Sequence, residues 1–147
     1  MMICLGNICR SPLAHGIMQD KIDKMNLLWS VESCGTSSWH VGEQPDSRSI
    51  SIAKENGIDI SKQRSQALTF NMLKEYDHLL AMDSSNYNDI LKLAITEGQK
   101  NKVELLMNYA YPNENRQVPD PYYNGGFQLV FDMIAKAIDE FVIAHHK

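Results

Sequence analysis

Residues 4–12 read Cys4-Leu5-Gly6-Asn7-Ile8-Cys9-Arg10-Ser11-Pro12, with the apolar Met1, Met2 and Ile3 ahead of them. An apolar run, a glycine-containing turn and a Ser-Pro helix start spell strand, loop and helix, the opening unit of an α/β fold. The spacing of Cys4 and Arg10 gives the turn a chemistry. The N–H groups of such a loop and the positive end of the helix behind it favour an anion, and the guanidinium offers a planar fork matching two phosphate oxygens. The same field favours thiolate over thiol at Cys4, which makes it a nucleophile aimed at phosphorus.

The neighbouring residues suit that task. Gly6 lets the backbone approach an anion closely or take a positive φ, and Asn7 tolerates the left-handed region. Ser11 is a favoured N-cap and Pro12 a favoured first helical residue, so a helix is expected from Pro12 to about Met25, burying Leu13, Ile17 and Ile22. A cysteine and an arginine at this spacing also arise as a buried strand residue and a surface charge. Gly6, Asn7, Ser11 and Pro12 weigh against that plainer reading.

Working outward, 147 residues with 44% hydrophobic and 22% charged side chains fit a single domain spanning 1–147. No apolar stretch approaches the ~20 residues of a membrane-crossing helix, and no signal peptide precedes the motif, so no membrane partner and a cytoplasmic location are expected. Three cysteines cannot all pair, and a nucleophilic thiol needs a reducing compartment. A net charge of −4, with scattered Lys and Arg, argues against a nucleic-acid partner, which would call for a clustered basic face.

Short β-like runs alternate with helical ones. Strands are expected at Met1 to Cys4, Leu28 to Ser33, His78 to Met82 and Val103 to Met107, giving four parallel strands. A second helix is expected from about Asp46 to Asn56, stopped by Gly57, and Ser84 or Ser85 is expected to cap a third. The final helix carries Phe127, Val130, Phe131, Ile134, Ile138, Phe141 and Val142 on one stripe that must pack against the sheet. Between Asn108 and Gly126, prolines at 112, 119 and 121 and glycines at 125 and 126 predict a long loop. Its Pro119-Asp120-Pro121 holds a carboxyl stiffly, as a general acid needs, although an ordinary turn aspartate has the same look.

The chain resembles the low-molecular-weight protein tyrosine phosphatases. Beyond the first loop, the likeness runs in order through Ser33-Cys34-Gly35-Thr36, Trp39-His40-Val41-Gly42, Pro45-Asp46-Ser47-Arg48-Ser49, Gly57-Ile58-Asp59-Ile60, Ala81-Met82-Asp83 and Asp120-Pro121-Tyr122-Tyr123. The resemblance implies a three-layer α/β fold, a four-stranded parallel sheet of order 2-1-3-4 with helices on both faces. Trp39, Asp83 and Asp120 would share one cleft with Cys4. It further implies catalytic roles for Cys4 as nucleophile, Arg10 as phosphate clamp and Asp120 as acid and then base. Loop residues Leu5, Gly6, Asn7, Ile8, Cys9 and Ser11 would support the phosphate, with Ser11 donating to the Cys4 sulfur and Asn7 bonded to Ser33. Neither cofactor nor metal is implied.

A cysteine at the bottom of a cleft is reached by a phosphate on a long side chain, so phosphotyrosine in proteins is the expected substrate. Trp39, Tyr122 and Tyr123 would rim the ring, although Trp39 also suits burial against the second helix. Cys9 reads equally as a redox partner for Cys4 and as a small packed side chain. Cys34, where the family usually has Ala, reads as core. The segment ahead of Cys4 is shorter than the family's first strand, and the protein is expected to be a monomer or weak dimer.

Other readings remain. Protein-arginine phosphatases of similar pattern prefer Thr where Ile8 stands and are less aromatic after the aspartate. Arsenate reductases need two further cysteines, and only Cys34 stands beyond the loop. A noncatalytic phosphate-binding or redox-sensing module would keep the cradle without requiring Asp120.

Overall fold

In the computed structural model, which describes residues 1–147, the short apolar run ahead of the loop is β1 (Met2–Cys4), an inner strand of a four-stranded sheet. The others are β2 (Ser33–Gly35), β3 (Leu79–Ala81) and β4 (Val103–Leu105), all parallel in the order β2-β1-β3-β4. The chain leaves β1 toward β2 on one side and returns to β3 on the other. Strand order therefore reverses at the carboxyl end of β1, where open α/β sheets bind ligands.

Helices fill the connections: α1 (Arg10–Met25), α2 (Ser47–Glu55), α3 (Phe70–Glu75), α4 (Ser84–Leu93), α5 (Glu97–Lys100), α6 (Pro121–Asn124) and α7 (Phe127–His145). Strand side chains alternate between two cores, as a period of two requires. Met2, Cys4, Leu80 and Met82 pack with Leu13, Ile17, Ala53, Ile134 and Ile138 of α1, α2 and α7. Ile3, Leu79, Ala81, Val103 and Leu105 pack on the opposite face with Leu73 of α3 and Ile90 of α4. A Leu or Ile buried as Leu13, Leu79 and Ile134 are contributes about 1.5–3 kcal/mol, which lets three-residue strands persist. All seven residues of the final stripe are buried along α7. No helix is long and apolar enough to cross a membrane.

Several expected boundaries are corrected. The second strand is not Leu28 to Ser33 but begins at Ser33, because its partner β1 starts at Met2, paired with Ser33, and earlier residues have no ladder neighbour. Leu28 is fully exposed. The third strand lacks His78 and Met82, and the fourth ends at Leu105 because Leu106–Asn108 tighten into a 3₁₀ turn. Helix α1 begins at Arg10, not Pro12, with Cys9 at its N-cap and Ser11 inside the first turn. Asp46 caps α2 through Arg48 N–H, and Asp83, rather than Ser84 or Ser85, caps α4 through Asn86 N–H. The six-residue α3, the four-residue α5 and α6 within the expected loop are too short for a periodic signal.

Candidate active site

The loop after β1 is held from outside by its carbonyls. Cys4 C=O accepts from Thr36 N–H at 2.9 Å, Leu5 C=O from Ser37 N–H at 2.9 Å, and Ile8 C=O from Asp46 N–H at 2.8 Å. Gly6 C=O accepts from Ser65 Oγ at 3.0 Å and Cys9 C=O from Ser49 Oγ at 3.2 Å. In a trans peptide the N–H of the next residue points away from that carbonyl. With no cis peptide bond in the chain, the N–H groups of Leu5, Gly6, Asn7, Cys9 and Arg10 turn away from this outer frame. Asn7 N–H reaches Cys4 Sγ at 3.3 Å. Cys9 gives no side-chain cap to α1, so the first helical amides stay available to an anion.

Asn7 takes the left-handed conformation, φ 56°, and its side chain is tied on every side. Nδ2 donates to Ser11 Oγ at 2.8 Å and to Ser33 Oγ at 3.0 Å, while Oδ1 accepts from Gln66 N–H at 3.0 Å. Ser11 Oγ in turn lies 3.0 Å from Cys4 Sγ. Gly6 keeps a negative φ. Its missing Cβ matters instead because His40 Cδ2 would stand 3.0 Å from one.

Arg10 is buried, and its Nη1 donates to Asp83 Oδ2 at 2.6 Å and to Val118 C=O at 3.0 Å. Its Nη2 lies 3.6 Å from Asp120 Oδ2. Burial works against the guanidinium charge, but Cys4, Asp83 and Asp120 outweigh it and raise its pKa above the usual arginine value. Asp120 sits at the start of α6, where its Oδ1 accepts from Tyr122 N–H at 3.1 Å and leaves its other oxygen facing Arg10.

These groups meet in a cleft of about 140 Å³. Of the residues singled out in the sequence, Cys4, Leu5, Gly6, Ile8, Cys9, Arg10, Trp39, Asp120, Tyr122 and Tyr123 line it, and His40 joins them. Asn7 and Ser11 lie behind the loop and do not line it. Trp39 and Tyr123 stand well out at the rim, 75% and 85% exposed, so Trp39 is not packed away against α2. The Tyr122 and Tyr123 rings meet edge to face at 4.9 Å. A larger depression of about 610 Å³ lies at the amino end of the strands, under Trp29 and Phe141, but the thiol of Cys4, the guanidinium and the Asp120 carboxyl are all at the small one.

Three contacts have no counterpart in the sequence analysis. Asp83, expected in the cleft, does not line it and reaches the site only through its bond to Arg10 Nη1, His40 is an added lining residue, and Arg48 bridges Asp46 Oδ2 at 2.9 Å and Tyr122 C=O at 3.0 Å. Each stands in a segment quoted above, but contacts across 73 and 74 residues leave no local signal. Cys9 and Cys34 are free and buried, and burial pushes both thiols up to about 12.

Comparison with known proteins gives a consistent picture. A family model described as low molecular weight phosphotyrosine protein phosphatase matches residues 1–147. The low molecular weight phosphotyrosine protein phosphatase of Schizosaccharomyces pombe is 40% identical over 128 residues, covering 85% of this chain and 81% of the relative. The crystal structure of an Entamoeba histolytica protein tyrosine phosphatase, with Hepes in its active site, superposes with a TM-score of 0.90 at 34% identity. It covers 97% of this chain and 92% of that one. The Drosophila arginine phosphatase structure gives a TM-score of 0.92 at 29% identity, over 99% and 96% of the two chains.

Proposed function

The chain belongs to the low molecular weight phosphotyrosine protein phosphatase family and is a cysteine-dependent tyrosine phosphatase; from that premise we propose that its reaction passes through a phosphocysteine on Cys4. The observation that carries this is the convergence on one small cleft of a buried thiol, a guanidinium and a carboxyl, with Ser11 Oγ 3.0 Å from the sulfur.

Arg10 and the loop amides hold the phosphate oxygens, and the Cys4 thiolate attacks phosphorus as the bond to the phenolic oxygen breaks. The protonated carboxyl of Asp120 gives its proton to that oxygen. In the second half Asp120, now a carboxylate, takes a proton from water, whose oxygen bonds phosphorus while the S–P bond breaks. Ser11 O–H donates to the departing thiolate. Leu5, Gly6, Ile8 and Cys9 contribute the walls and amides, and Asn7 holds the loop's left-handed turn. No step calls for a cofactor or metal.

Phosphotyrosine-containing proteins are the proposed partners, with Trp39, Tyr122 and Tyr123 flanking the ring, in one domain over residues 1–147 acting as a monomer or weak dimer. Three free cysteines and a required thiolate support a reducing, cytoplasmic setting.

The test measures hydrolysis of an aryl phosphate with EDTA present. Cys4→Ser should abolish turnover and the trapping of a phosphoenzyme, and Asp120→Ala should lose about 10²–10⁴-fold. Retained turnover in Cys4→Ser would end this reading. The likeness to the Drosophila arginine phosphatase favours a second reading. A kcat/KM for phosphoarginine above that for phosphotyrosine would select it.

A further inference from the structure

Behind the phosphate loop, His15 on α1 joins a chain of hydrogen bonds that runs through Ser33, Asn7 and Ser11 to the Cys4 sulfur. The direction of each proton follows from groups that can act in only one sense. The Gln66 backbone N–H can only donate, and it lies 3.0 Å from Asn7 Oδ1, so Nδ2 must face the two serines. Its two hydrogens go to Ser11 Oγ at 2.8 Å and Ser33 Oγ at 3.0 Å. A thiolate can only accept, so the Ser11 hydroxyl proton turns to Cys4 Sγ at 3.0 Å and not to Cys34 C=O at 3.5 Å. Ser33 Oγ already accepts from Asn7 and has one proton of its own to place. His15 Nδ1, at 3.1 Å, is the acceptor within reach. Ser33 is buried, so stranding that proton is costly.

We propose that His15 is a positioning residue for the Cys4 reaction: as the neutral tautomer protonated on Nε2, its bare Nδ1 accepts the hydrogen bond of the Ser33 hydroxyl and completes the donor chain that Gln66 N–H and the thiolate orient. The proposal rests on Cys4 being the nucleophile, although the position of the ring proton does not. Protonation at Nδ1 turns the acceptor into a donor aimed at Ser33. That leaves the serine proton without a partner and sets Ser33 against Asn7, whose left-handed turn shapes the loop.

The charged groups around the ring act from three segments. Glu32 flanks it beside β2, Lys62 and Arg64 line the same depression from the segment after α2, and the Met1 amino group approaches from the start of the sheet. Burial lowers the His15 pKa below the usual imidazole value, with the Met1 amino group acting in the same direction and Glu32 opposing. The neutral ring therefore prevails at pH 7.

Nitrogen NMR of imidazole-labelled protein at pH 7 reads the tautomer directly. A bare Nδ1 and a protonated Nε2 are expected, and a proton on Nδ1 overturns the proposal whatever the activity. The second measurement is kcat between pH 5 and 8 for the wild type, His15→Gln and His15→Lys. Glutamine retains an acceptor that does not titrate, whereas lysine can only donate. His15→Lys is expected to turn over about tenfold more slowly than His15→Gln at pH 7. His15→Gln should also lose part of the wild-type decline on the acid side. Three superimposable profiles would overturn the proposal. Should His15→Lys fail to fold by circular dichroism, the tautomer and the wild-type comparison with His15→Gln decide. Activity in Cys4→Ser would defeat the phosphocysteine reading while leaving the tautomer result standing.

Discussion

Arg10 and Asp83 are locked together, Nη1 to Oδ2 at 2.6 Å, and the other Asp83 oxygen caps α4. The guanidinium proposed to hold phosphate is thus fixed to an element that packs on the opposite face of the sheet from α1. Asp83→Ala removes the partner of a buried charge together with a helix cap. The Asp83 side chain is 19% exposed, so the cost should fall below that of a fully buried pair, at about 2–3 kcal/mol in urea unfolding. Phosphate affinity should fall with it, read as a several-fold higher KM for an aryl phosphate.

The three cysteines should separate by reactivity. Burial holds Cys9 and Cys34 near 12, so both stay neutral thiols at every pH below about 10. Cys4 is the one whose sulfur meets Ser11 Oγ and Asn7 N–H at the cleft, and iodoacetate at pH 7 should add a single carboxymethyl group, on Cys4, with loss of activity in step. Mass spectrometry of digested protein that finds Cys9 modified first would contradict this.

Gly35 closes β2 directly behind the phosphate loop. A Cβ there would stand 2.7 Å from Leu5 O and 3.1 Å from Asn7 N, both backbone atoms that cannot swing aside. Gly35→Ala should therefore displace the loop, lowering stability by about 1–3 kcal/mol and kcat by at least tenfold. Unfolding midpoint and turnover on the same sample check both.

The legible part of this molecule was what local sequence encodes. Cys4 to Pro12 stated its own strand, turn and helix, and the α7 stripe from Phe127 to Val142 was visible because 3.6-residue periodicity over more than four turns leaves little choice. What stayed hidden depended on distant partners. Ser33 begins β2 only because Met2 lies opposite, and Asp83 rather than a following serine caps α4, its second oxygen already turned to Arg10. Ser11 has the look of an N-cap, but its hydroxyl is taken up by Asn7 and Cys4, and the helix starts two residues earlier than Pro12, at Arg10.

Acid should loosen the seam between the phosphate loop and α2. Arg48 beside Asp46 holds that carboxyl below the usual 3.8, with burial opposing. A depressed acid stabilises the fold fully above its unfolded pKa, and this contribution fades as pH falls through the lower folded value. The window is thus below about pH 4. Asp46→Asn should flatten the fall of Tm with acidification in that range. Unchanged slopes would show that the Arg48 pairing has no weight in the native state.

The aromatic rim should act on binding more than on chemistry. Trp39 and Tyr123 line the cleft that holds Cys4 but stand exposed at its mouth, in position to cover a tyrosine ring rather than the bond being broken. A stacked pair contributes about 0.5–1.5 kcal/mol, which corresponds to roughly a two- to twelvefold change in affinity. Trp39→Ala and Tyr123→Ala should each raise KM for a phosphotyrosine peptide within that range while changing kcat little. Free inorganic phosphate touches only the loop and has no ring to stack. Its inhibition constant should stay near the wild-type value in both variants, so a parallel loss there would mean that the rim residues shape the loop itself.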